Sequence, residues 1–231
     1  MKKFKAAFTC LLLLCFMSTN VFALSMPTIN QGVRISEQKS DNNTVFTLSK
    51  TEPVTLKSRS LSNQGDSEQL YCTKSVKIFA KDEIEADAVR AQLSYVEYDF
   101  DYPEGTYFGG SLTMYVNVYF NKKTVSGKEG TFYKLVRATG YATVRNGTTL
   151  VSKELAFTEN GPSDVNSYFT DTSRFNVTSQ TNISKYAPTS WPFVTPGSAG
   201  HVGVSLTCKV TRPSGETKDE IHTVAFPQTM N

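Results

Sequence analysis

The chain has 231 residues, of which 39% are hydrophobic, 12% aromatic and 19% charged. That balance excludes a disordered tail and a polytopic membrane protein, and it supplies enough apolar surface for a core. Its formal charge of +3 rests on Lys2, Lys3 and Lys5, beyond which 21 basic residues face 21 acidic ones, so no bulk field draws the chain to nucleic acid or to an anionic membrane.

Residues 1–23 read as a cleavable secretory signal: a short Lys-Lys head of bacterial style, an apolar run from Ala6 to Met17, a polar break at Ser18-Thr19-Asn20, and Val21-Phe22-Ala23 before the cut. The run is shorter than the roughly 20 apolar residues a membrane-spanning helix needs. Cleavage after Ala23 predicts a secreted chain of 208 residues with no transmembrane anchor. Cys10 and Cys15 leave with the signal, which leaves Cys72 and Cys208 as a pair in an oxidising compartment. The expectation is one core disulfide, Cys72 to Cys208, because alternation sets Cys72 on a face with Val76 and Ile78 and Cys208 on a face with Val204 and Leu206.

From Leu24 to Gln69 Ser, Thr, Asn, Gln and Lys dominate, with brief apolar pulses at 44–48 and 54–56. This stretch reads as a polar N-terminal arm or edge strands. From 70 to 231, period-2 alternation recurs between turn residues, the pattern of one all-β domain. Strands are predicted near 70–80, 93–102, 111–121, 131–145, 148–158, 173–183, 201–212 and 217–226. One short helix fits 82–92, opened by Asp82 and Glu85 in a capping-box arrangement.

Asn146-Gly147 predicts a type I′ turn, since both residues accept positive φ. The matching hairpin would oppose Arg145 to Thr148, Ala142 to Val151 and Ala138 to Leu155. A second hairpin, through Pro213-Ser214-Gly215, would set Arg212 against Thr217 and Thr207 against His222. The predicted fold is therefore an antiparallel β-sandwich, immunoglobulin-like or jelly-roll.

Histidine chemistry is scarce, with only His201 and His222 in the chain. Pro196-Gly197-Ser198-Ala199-Gly200 lacks the first glycine and the following helix of a nucleophile elbow. No catalytic residue is assigned. Glu97, Asp99 and Asp101 alternate along a predicted strand and lead to Glu104, which makes these four the candidate Ca²⁺ ligands. Glu97, Asp101 and Glu104 could instead serve a glycan-active hydrolase, which needs two acids about 5–9.5 Å apart.

Tyr95, Tyr115, Asn117, Tyr119 and Tyr141 project from sheet faces opposite the apolar stripes, and Trp191 sits in the loop 188–200. Tyrosine rings give stiff apolar area and amides give hydrogen bonds, so these six are the candidate binding residues for a glycan or protein partner. The leading expectation is a secreted, non-catalytic binding or surface-associated protein. A hydrolase is the first rival. A pore-forming or membrane-active toxin is the second, because 111–121 and 131–145 alternate as a membrane hairpin does.

Overall fold

The computed structural model describes residues 32–40, 43–54, 69–95, 108–165, 167–196 and 200–226. In chain order the elements are β1 (Arg34–Ser40), β2 (Asn43–Pro53), β3 (Gln69–Ala80), α1 (Glu83–Tyr95), β4 (Leu112–Thr124), β5 (Thr131–Val144), β6 (Thr149–Pro162), β7 (Tyr168–Asn176), β8 (Ile183–Tyr186), β9 (His201–Thr211) and β10 (Thr217–Phe226). They form an all-β sandwich of two antiparallel sheets. The larger runs β1-β2-β3-β4-β5-β8 and the smaller runs β10-β9-β6-β7.

Between the sheets lies the main core. Alternation delivers Leu112, Met114, Val116, Val118 and Phe120 from β4 against Leu155 and Phe157 of β6 and Val204 and Leu206 of β9. Phe157 has no exposed surface, and truncating such a ring to Ala costs about 3–5 kcal/mol. A second apolar layer sits on the opposite face of the larger sheet, where Ala86, Val89 and Leu93 of α1 cover Phe46 and Leu48 of β2 and Val76 and Ile78 of β3. Asp82 caps α1, its Oδ1 accepting from the Glu85 amide at 2.9 Å, while the Glu85 carboxylate takes the Lys81 amide at 3.0 Å and the Ser111 hydroxyl at 2.6 Å.

Several expectations need correction. Of the stretch read as a polar arm or edge strands, β1 is an edge strand, but β2 is an interior one, with Phe46 and Leu48 enclosed. Residues 93–95 end α1 rather than beginning a strand. The predicted strand 173–183 is divided between β7 and β8, which lie in different sheets.

Asn146 and Gly147 do take positive φ, 54° and 78°, and Thr148 N–H bonds Arg145 C=O at 2.9 Å. Yet no hairpin follows, because β5 pairs with β4 and β8 while β6 pairs with β9 and β7. The turn is where the chain leaves one sheet for the other. An irregularity between Leu150 and Ser152 resets β6, so Leu150 packs on the core and Val151 points to solvent at 49% exposure.

The β9–β10 hairpin is displaced by one residue from the predicted register. Thr211 opposes Thr217 and Leu206 opposes His222, since Arg212 N–H closes the loop on Glu216 C=O at 2.8 Å. A one-residue shift exchanges the faces, and it places His222 inside.

The cysteines are the largest correction. Cys72 and Cys208 are buried thiols with no disulfide between them. Cys208 belongs to the core between the sheets, whereas Cys72 alternates with Val76 and Ile78 onto the α1 side of the larger sheet. Cys208 faces the space between the sheets and Cys72 the opposite face of the larger sheet, so that sheet separates the two side chains.

Candidate functional site

The outward face of the larger sheet has two halves. At one end α1 and Phe108 enclose it. At the other, one row crosses five strands in the order Glu52, Cys72, Tyr119, Arg137, Tyr186. Arg137 carries the centre of this row. Its guanidinium carbon lies 5.8 Å from the Tyr119 ring centre and 5.5 Å from that of Tyr186, and its Nε and Nη2 donate to Ser184 Oγ at 3.2 and 3.0 Å. Tyr186 is 63% exposed. A guanidinium set against two rings gains from their quadrupoles, and the contact stiffens all three side chains.

The next row is polar: Lys50, Lys74, Asn117, Thr139 and Ser184, with Asn117 Nδ2 donating to Thr139 Oγ1 at 3.4 Å. Lys74 and Lys50 hold Glu52 at 2.9 and 3.5 Å. The Lys74 hydrogen bond is the main reason the Glu52 carboxyl titrates below its ordinary range. Burial first, and then the neighbouring Cys72 thiol, push the Tyr119 hydroxyl upward, with Arg137 acting in the opposite sense.

Along β5 the outward stripe continues through Tyr141 and Thr143. Tyr141 stacks on Tyr115 with ring centres 4.2 Å apart. Tyr115 itself is 6% exposed and packs beside Phe108, so it supports Tyr141 rather than offering a face. Beyond the end of β8, a groove of 390 Å³ opens between β5 and β6, lined by Tyr141, Ala142, Thr143, Lys153 and the loop from Thr178 to Thr181. That volume is at the small end of ligand sites, about 300–1,000 Å³.

Of the six candidate binding residues, Asn117, Tyr119 and Tyr141 therefore share one partly open strip, with Tyr115 buried beneath it. Trp191 is elsewhere, 3% exposed, in edge contact with Phe169 and donating its indole N–H to Asp171 Oδ2 at 2.9 Å. Tyr95 is the last residue of α1. The candidate Ca²⁺ ligands Glu97, Asp99, Asp101 and Glu104 lie outside the described residues. Among the described residues no three His, Cys, Asp or Glu side chains gather as a metal site would require.

Three buried polar side chains escape a reading by alternation. Lys153 is 5% exposed and its ammonium donates to Gln180 C=O. Glu159 is fully enclosed. Burial pushes its carboxyl up to about 8, against the pull of the Leu135 amide and Lys134. His222 is also enclosed, and burial followed by the charge of Lys77 depresses its imidazole to about 3, a hydrogen bond with the Ser75 backbone acting the other way. The available signal is a polar residue in phase with an apolar stripe, as Lys153 and Glu159 are with Leu155 and Phe157. Burial likewise raises the Cys208 thiol to about 12, which leaves it without a nucleophilic thiolate at neutral pH. Comparison of the chain with protein-family models, with curated proteins and with solved structures gives no match.

Proposed function

We propose that this is an exported, non-catalytic binding protein, secreted or held at a cell surface, that receives a glycan or protein partner along the outward strip of β5 and β8. The observation that carries the reading is the Tyr119–Arg137–Tyr186 row, continuous along β5 with Tyr141 and its groove. Rigid rings beside amide and hydroxyl groups give contact area at low entropy cost, and they orient a polar ligand by hydrogen bonds. The apolar stripes of β4 and β5, which prompted the membrane-active reading, face the core of the sandwich.

The test is a titration of the mature chain with a panel of neutral and acidic oligosaccharides and short peptides, each followed by an assay for cleaved product. Saturable binding with ligand recovered intact is expected. Cleavage of a glycan would replace this reading with the hydrolase, and a panel without a single binder would remove its support.

A further inference from the structure

The groove at the end of β8 has a chemical bias that the open strip lacks. Six of the residues that line it carry a hydroxyl or an amide, Tyr141, Thr143, Thr178, Ser179, Gln180 and Thr181, but the surface they and Ala142 turn to the groove is more apolar than polar. Lys153 lines it too, on a strand position in phase with core residues, so its ammonium is held in the wall rather than waving in solvent. A lysine ammonium has three N–H donors, and here one goes to Gln180 C=O. Among the described residues no carboxylate lies within ion-pair distance of it. A lysine this buried is ordinarily paired. The groove thus presents one fixed positive charge beside hydroxyl- and amide-bearing side chains.

Building on the binding reading above, we propose that this groove takes a carboxylate-bearing saccharide, a uronic acid unit, with its carboxylate on Lys153 and its ring hydroxyls on the loop from Thr178 to Thr181. A single ammonium matches a monoanion better than a phosphate dianion, and a lining that mixes hydroxyl and amide groups with carbon surface matches a pyranose ring, which has a hydroxyl rim and C–H faces. The volume admits a short saccharide, so longer chains would continue along β5 toward Arg137.

The decisive comparison is tri-galacturonate against its methyl ester, which has the same shape without the charge. Both are titrated into the mature chain while backbone amide resonances are followed, with an acetylated tripeptide acid as a third ligand. The acid is expected to bind at least about tenfold more tightly than the ester and to shift the amides of 178–181 and 141–143, with affinity falling as salt rises. Lys153→Met should abolish the preference. Should that variant not fold, the acid–ester comparison on the wild-type chain still decides. Equal binding of acid and ester in the groove overturns the assignment and leaves the binding reading intact. Tighter binding of the tripeptide acid, or saccharide binding confined to the Tyr119–Tyr186 row, overturns it as well. Absence of binding by all three overturns it and, if the wider panel is also silent, the binding reading with it.

Discussion

Glu159 of β6 accepts the Leu135 amide of β5 at 2.8 Å across the space between the sheets. The bulge in β5 makes this bond available. Tyr119 pairs with Arg137 and Phe120 with Leu135, so Val136 is the extra residue and the Leu135 N–H is turned out of the ladder. The other carboxyl oxygen, Oε2, is buried with no hydrogen-bond partner among the described residues, an environment that favours the neutral carboxyl over the carboxylate.

That carboxyl sets the alkaline side of the stability profile. Its folded value of about 8 stands above the ordinary 4.5, so its favourable contribution is complete below pH 4.5 and is lost as pH rises through 8. The limiting slope for one proton is about 1.4 kcal/mol per pH unit. Glu159→Gln should flatten the decline between pH 6.5 and 8 in urea titrations. An unchanged decline would contradict the assignment.

His222 sets the acid side. Its folded value of about 3 lies below 6.5, so its contribution is complete above pH 6.5 and is lost as pH falls toward 3, when the buried ring must take a charge beside Lys77. Between pH 4.5 and 6.5 the two slopes oppose each other. The melting temperature of the chain should be highest in that interval, and a maximum above pH 8 would refute the pairing of these effects.

The sulfur chemistry is checked by thiol titration of the denatured, signal-free chain without reductant, which should return two thiols per chain. A value of zero would mean that Cys72 and Cys208 are joined, and hence that one of β3 and β9 presents its other face.

Much of the framework was legible because it is local. The limits of β10, the capped helix and the Asn146-Gly147 turn follow from alternation, Asp82 and positive φ, all written within a few residues. Pairing was not. Turn chemistry brings Arg145 and Thr148 together, but the edge of β5 is taken by Ile183–Tyr186, some forty residues on, and no local signal names that partner. The cysteine reading failed for a related reason. Alternation identifies the residues that share a face with Cys72, but it does not say which face of the larger sheet meets the other sheet.

The site was legible in part. Alternation placed Tyr115, Asn117 and Tyr119 on one face, where they are found. Arg137 joins them through the β4–β5 pairing and Tyr186 through the β5–β8 pairing, and Lys153, though in phase with Leu155 and Phe157, lines a groove that the distant loop from Thr178 to Thr181 completes.

Side chains on the open strip should affect binding without affecting folding. Arg137→Ala and Tyr186→Ala are each expected to weaken a strip-bound ligand by about tenfold while changing stability by no more than about 0.5 kcal/mol. Tyr115→Ala, at the buried end, should instead lower the melting temperature, at a cost of about 3 kcal/mol or more. Calorimetric titration and thermal melts on the three variants separate the two roles, and unaltered affinity in both strip variants would count against the strip.

The most direct test is hydrogen exchange on the chain with and without a saturating ligand from the oligosaccharide and peptide panel. Protection is predicted in residues 137–143 of β5 and 178–186 of the adjoining loop and β8. Protection confined to the outward face of β7, β6, β9 and β10, or to the α1-covered end of the larger sheet, would place the ligand elsewhere and contradict the account.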